Sequence, residues 1–99
     1  MKVVRRSSEQ PLKAAIEEFL DRYHLRDKLD QAKVIQAWEK VVGEMVAKNT
    51  GNLRIRKRVL FIRVESAALR NELMFARNMI IDALNKEVGA KVIDEIVIH

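Results

Sequence analysis

The chain has no cysteine in its 99 residues, one proline and three glycines. The absence of thiols excludes a disulfide framework and a thiolate metal site, and fits a reducing compartment. The glycines, Gly43, Gly51 and Gly89, lie far apart, so no Gly-x-Gly-x-x-Gly or P-loop cradle for phosphates can be assembled. The only histidines are His24 and the terminal His99, and Asp94 and Glu95 are neighbours in an extended segment, pointing to opposite faces. No nucleophile–base pair or metal set converges, so the expectation is a non-enzymatic protein with no cofactor and no metal. No apolar run approaches ~18 residues, and Met1 to Ser7 lacks an apolar stretch. Neither a membrane span nor a signal peptide is therefore expected.

What the chain has is basic charge, gathered in one place. Residues 48–77 hold eight basic side chains (Lys48, Arg54, Arg56, Lys57, Arg58, Arg63, Arg70, Arg77) against two acidic ones, Glu65 and Glu72. That local excess is larger than the net +5 of the whole chain, so the remaining residues are close to neutral. Placed basic charge is the electrostatic footprint of a protein that lies on a polyanion.

With 48% hydrophobic and 33% charged residues, the chain has the composition of one globular domain. Residues 1–10 read as a loose basic arm in which Arg5 and Arg6 can add phosphate contacts, followed by a domain over 11–99. Pro11 fits the first turn of a helix, and Leu12, Ile16, Phe19, Leu20 and Tyr23 fall on one face of it. Asp30 suits the N-cap of a second helix with an apolar stripe of Val34, Ile35, Trp38, Val41, Val42 and Met45. Trp38 is expected to anchor the core, and Gly43 to permit close packing on a neighbour. The cluster Asn49-Thr50-Gly51-Asn52 ends that helix.

Leu53, Ile55, Leu60, Ile62 and Val64 alternate with a period of two. A two- or four-residue turn centred on Lys57-Arg58 pairs Ile55 with Leu60 and Leu53 with Ile62 on the buried face. The opposite face then presents Arg54, Arg56, Val59, Phe61 and Arg63. Ser66 caps a long helix over about 67–88, with core stripe Leu69, Leu73, Ala76, Ile80, Leu84 and Val88, and Gly89 stands at its C′ position. Residues 92–98 form a last strand, parallel to the second by a right-handed crossover. The fold class is α+β, in the order ααββαβ, with a three-stranded mixed sheet packed on helices.

The candidate polyanion-binding residues are Lys48, Arg54, Arg56, Lys57, Arg58, Phe61 and Arg63. Arginine forks match phosphate geometry, and an aromatic on the same surface can stack an unpaired base. A second stripe, Arg70, Met74, Arg77 and Ile81, suggests a partner or dimer contact on the long helix. On the residues alone, DNA, RNA and an acidic protein partner all remain open, as does a monomer or a weak homodimer.

Several of these residues, in order, resemble the DciA family: Trp38-x-x-Val41-Val42-Gly43, Thr50, Val59-Leu60-x-Ile62-x-Val64-x-Ser66-Ala67-Ala68-Leu69-x-x-Glu72-Leu73, then Leu84-Asn85 and Val88-Gly89. The resemblance covers residues 12–98. It implies a KH-like domain in the bacterial cytoplasm, at the nucleoid, that binds single-stranded or forked DNA and assists the replicative helicase. Alternatives are an RNA-binding KH-like module, or a protein–protein adaptor using its basic face. The chain departs from the family pattern at Arg58, where members usually carry glycine, and at Leu69, where an aromatic is common. Many members also continue into a flexible tail implicated in helicase contact. The Gly-x-x-Gly loop of many KH domains is absent, so nucleic acid contact is expected on another surface.

Overall fold

The computed structural model describes the backbone of residues 2–99 and the side chains of residues 11–99. Its elements are α1 (Lys2–Arg22), α2 (Arg26–Val42), α3 (Glu44–Lys48), β1 (Leu53–Arg56), β2 (Val59–Ile62), α4 (Ala67–Phe75), α5 (Arg77–Val88) and β3 (Glu95–Ile98). The sheet has the order β1-β2-β3, with β1 antiparallel and β3 parallel to β2. The α+β class, the mixed sheet and the strand directions are those expected from the sequence.

The register follows from the alternation. Leu53 pairs with Ile62 and Ile55 with Leu60, so both rows of aliphatics face the helices. Leu60, Ile62, Val64, Ile93 and Ile96 bury against Val34, Ala37 and Trp38 of α2 and Leu73, Ile80, Ile81 and Leu84 of α4 and α5. Trp38 is only 3% exposed, and its Nε1–H donates to Thr50 Oγ1 at 3.1 Å. Thr50 Oγ1–H donates in turn to the Ala47 carbonyl at 2.9 Å, which ties α2 to the loop ahead of β1. Among the described residues, no helix lies on the outer face of the sheet.

Five helices replace the three expected. The second breaks at Gly43 (φ 91°, ψ 162°), where an added Cβ would meet nothing within 4 Å. Glycine is there for its backbone conformation and not for close packing. The long helix breaks at Ala76 (φ −89°, ψ 5°), which separates α4 from α5, yet the expected stripe of Leu69, Leu73, Ala76, Ile80, Leu84 and Val88 stays on the core side across the break. The Ser66 cap is present, its Oγ accepting from the Leu69 N–H at 3.2 Å, and Gly89 takes the left-handed φ of 84°. Asp30 is not an N-cap: α2 begins a full turn earlier, after Leu25.

Residues 92–94 are not strand. Ile93 and Ile96 are both buried, which strict alternation forbids. The Asn85 side chain organises this segment: its Oδ1 accepts from the N–H groups of Val92 and Ile93, both at 2.9 Å, and its Nδ2 donates to the Ile93 carbonyl at 2.8 Å.

α1 begins at Lys2, so the expected boundary at residue 10 falls inside a helix and Pro11 is interior to it, not in its first turn. The side chains of Arg5 and Arg6 lie outside the described residues. α1 ends with His24 in the left-handed region (φ 56°) and a Leu25 N–H to Leu20 carbonyl bond of 2.8 Å. Its apolar stripe is not covered: Leu12, Ile16, Phe19 and Tyr23 are all more than half exposed. The molecule is correspondingly elongated, 56 × 28 × 20 Å.

Candidate nucleic-acid interface

The outer sheet face is a grid set by the strand register. Arg54, Phe61 and Val97 form one row across β1, β2 and β3, and Arg56, Val59 and Glu95 form the next. Beyond the strand ends, the Gly51 N–H donates to the Arg63 carbonyl at 2.7 Å and the His99 N–H to the Ile62 carbonyl at 2.9 Å. These bonds extend the grid to Asn52, Arg63 and His99. The guanidinium of Arg54 lies over the Phe61 ring, 5.4 Å from its centroid, a cation–π stack on a half-exposed aromatic.

The first and third of these rows line a cleft of about 710 Å³ bounded by Gly51, Asn52, Leu53, Arg54, Phe61, Arg63, Glu65 and His99. A second cleft of about 410 Å³ shares Gly51, Arg63 and Glu65 with it and continues past Thr50 to Lys48 and Ser66. Together they make a groove across the open end of the sheet. Among the described residues, Arg54, Arg56, Lys57 and Arg63 have no acidic partner at ion-pair distance. Uncommitted arginines beside an aromatic, on an uncovered sheet face, can bind phosphates and stack a base. Lys48 reaches the same groove while sharing an exposed pair with Glu44 at 3.1 Å.

Arg58 is placed differently. The hairpin turn has two residues, with Lys57 at φ 50° and Arg58 at φ 67°, the left-handed pair of a type I′ turn. This explains why a glycine suits position 58. Here the arginine takes the disfavoured conformation and its side chain compensates. Its Nε and Nη2 donate to Asp94 Oδ2 and Oδ1 at 2.6 and 3.0 Å, and Nη2 also donates to the Lys91 carbonyl at 2.7 Å. The Asp94 N–H returns to the Arg58 carbonyl at 2.9 Å. Arg58 therefore clips the hairpin to the approach of β3 and is spent there. Asp27 and Asp30 line the same end of the sheet, so the positive field is concentrated at the opposite, Arg54–Arg63 end.

The hydrogen bond from Arg58 holds the Asp94 carboxyl below the usual carboxylate range, and the Coulombic attraction of Arg58 and Lys91 acts the same way against desolvation. A carboxylate depressed in the folded state stabilises it above the unfolded-state pKa and stops doing so as pH falls through the folded value. Asp94→Asn is therefore expected to melt below the parent at neutral pH, with the gap narrowing in acid as pH falls through the depressed folded-state value. Thermal melts at neutral and acid pH check this. An undiminished gap in acid would show that the pair is not its source.

The second stripe does not form a surface. Arg70 Nη1 donates to the Val64 and Glu65 carbonyls at 2.6 and 3.0 Å, Arg77 pairs with Glu95 at 3.3 Å, and Ile81 is buried. Of the four residues, Met74 alone is uncommitted and exposed. Beside it Phe75 and Met79, one helical turn apart and turned away from the core stripe, are also exposed.

Among the described residues no group of three histidine, aspartate or glutamate side chains is placed to hold a metal, and no helix is long and apolar enough to cross a membrane. A comparison with family models matches residues 11–98 to the family described as "Dna[CI] antecedent, DciA". A search of curated proteins gave no match.

Proposed function

We propose that this chain, which belongs to the DciA family, binds single-stranded or forked DNA through the groove at the Arg54–Arg63 end of its sheet. Family membership supports a role in bacterial replication as a helicase loader, and the family is not a known class of enzymes. Membership also implies a helicase partner. Our reading adds DNA as the ligand of the basic groove, with the helicase assisted on that DNA in the cytoplasm.

The observation that carries the reading is the Arg54–Phe61 stack beside Arg63 on an uncovered sheet face. Arg54, Arg63 and Lys48 neutralise phosphates along the groove, and Arg56 and Lys57 extend the field toward the turn. The guanidinium plane of Arg54, backed by Phe61, offers a base a flat surface. Phosphate contacts carry no sequence information, so binding is weakly sequence-dependent and strongly salt-dependent.

Fluorescence anisotropy of labelled single-stranded, forked and duplex DNA and of RNA, each titrated at several salt concentrations, tests it. The expected result is a linear fall of log affinity with log salt and a preference for single-stranded or forked DNA. A preference for RNA would move the site to the RNA-binding reading. No binding at low salt would make the basic face a protein-docking surface.

A further inference from the structure

Two apolar surfaces have nothing on them among the described residues. One is the α1 stripe of Leu12, Ile16, Phe19 and Tyr23, in which the Phe19 and Tyr23 rings stand 4.8 Å apart. The other is the corner between α4 and α5, where Met74, Phe75 and Met79 project and Phe75 is 94% exposed. Contiguous apolar patches of a few hundred Å² mark interaction sites on soluble proteins. A helix of this length has little stability of its own in water and gains it from a covered face.

We infer that α1 of one copy seats on the Met74–Phe75–Met79 corner of a second copy, and reciprocally, forming a two-fold dimer. The area argues for the exchange. Each patch uncovers roughly 400 Å², given aromatic side chains of 150–250 Å² and aliphatic ones somewhat smaller. Either patch paired with its own copy would bury roughly 800 Å² in total, below the ~1,200 Å² of specific stable interfaces, whereas both together reach roughly 1,600 Å².

The rims are complementary as well. Lys13 and Arg22 flank the α1 stripe, each three residues from a core position. Glu72 and Asp82, both exposed, stand three residues before Phe75 and three after Met79. Arg22 shares only a solvent-exposed pair with Glu18, which is cheaply exchanged.

The occupant is a second copy and not the same chain, because α1 is braced. Its last turn closes on the left-handed His24 (φ 56°), with the Leu25 N–H bonded to the Leu20 carbonyl at 2.8 Å. Folding α1 over its own domain would break that junction. A two-fold arrangement uses both patches on both copies and closes.

Sedimentation velocity of the full chain over a wide concentration range tests the inference, independently of DNA binding. The parent chain is expected to dimerise. Phe19→Asp and Phe75→Asp, both at exposed positions with unchanged far-ultraviolet circular dichroism, are each expected to weaken dimerisation about a hundredfold or more, since each removes an anchor from both contacts. A parent chain that stays monomeric overturns the inference. So does a dimer sensitive to Phe19 alone, which means α1 pairs with α1, or to Phe75 alone, which means the corner pairs with itself.

Discussion

Arg54→Ala combined with Arg63→Ala is expected to lower affinity for single-stranded DNA by roughly 10- to 100-fold near physiological salt, and to flatten the log–log salt slope by roughly 1.4. The slope change is the sharper prediction: each phosphate neutralised on a single strand contributes about 0.7 to it. The two arginines line one cleft, and among the described residues neither has an acidic partner. Their charge is therefore available to a ligand. Arg58→Ala is the matched control. It removes one formal charge from the same hairpin, half of what the double variant removes, but its guanidinium is committed to Asp94 and the Lys91 carbonyl. It is expected to lower thermal stability and leave the slope nearly unchanged. If Arg58→Ala flattens the slope by about half as much as the double variant, the cations act as a diffuse field and the groove is not the site.

Arg54→Lys separates the two jobs of that residue. Lysine keeps the charge but not the planar guanidinium that lies over Phe61. The slope is expected to persist while affinity falls, because base stacking on a cation-backed surface does not depend on counterion release.

The sheet was legible from the sequence because a period-two pattern leaves one choice of face. A one-residue slip would put Leu60 and Ile62 on the face opposite Leu53 and Ile55. The turn length, open between two and four residues, resolved to two despite having neither asparagine nor glycine. Local propensity at Lys57 and Arg58 was overridden by a long-range ion pair that sequence spacing does not reveal. Asn85 escaped notice for a related reason: its partners, Val92 and Ile93, lie in a segment whose alternation imitates a strand.

The helices were legible as elements but not as neighbours. Leu12, Ile16, Phe19 and Tyr23 have the spacing of a core stripe, and amphipathicity does not say whether the covering surface belongs to the same molecule. The break at Ala76 had no signal at all, since alanine is the best helix former. Ile81, buried beside Ile80 and Leu84, was lost to the candidate partner surface, while Phe75 stands opposite the core stripe. The basic candidates were found as a set, but their division into free and committed cations required the position of Asp94.

Trp38→Ala is expected to destabilise the fold by about 3–5 kcal/mol, the usual range for deleting a buried aromatic. For a domain with about 5–15 kcal/mol in hand this is a large fraction. Trp38 is buried between α2 and the sheet, and it also donates to Thr50, which donates to the Ala47 carbonyl. The relay fixes the loop that carries Gly51 and Asn52, one wall of the groove. Trp38→Phe keeps most of the apolar volume and leaves Thr50 without its donor; Thr50→Val leaves the indole N–H unpaired. Each is expected to cost about 1–2 kcal/mol. Because both remove the same hydrogen bond, the double variant is expected to cost clearly less than the two single costs combined. Urea denaturation followed by circular dichroism measures all four chains, with midpoints falling at constant m. The relay also predicts a functional signature distinct from that of the arginines. Thr50→Val frees the groove wall without removing charge, so it is expected to weaken DNA binding modestly while leaving the salt slope intact. Additive stability costs together with unchanged DNA affinity would mean that Trp38 is an apolar anchor only, and that the groove is held by the sheet alone.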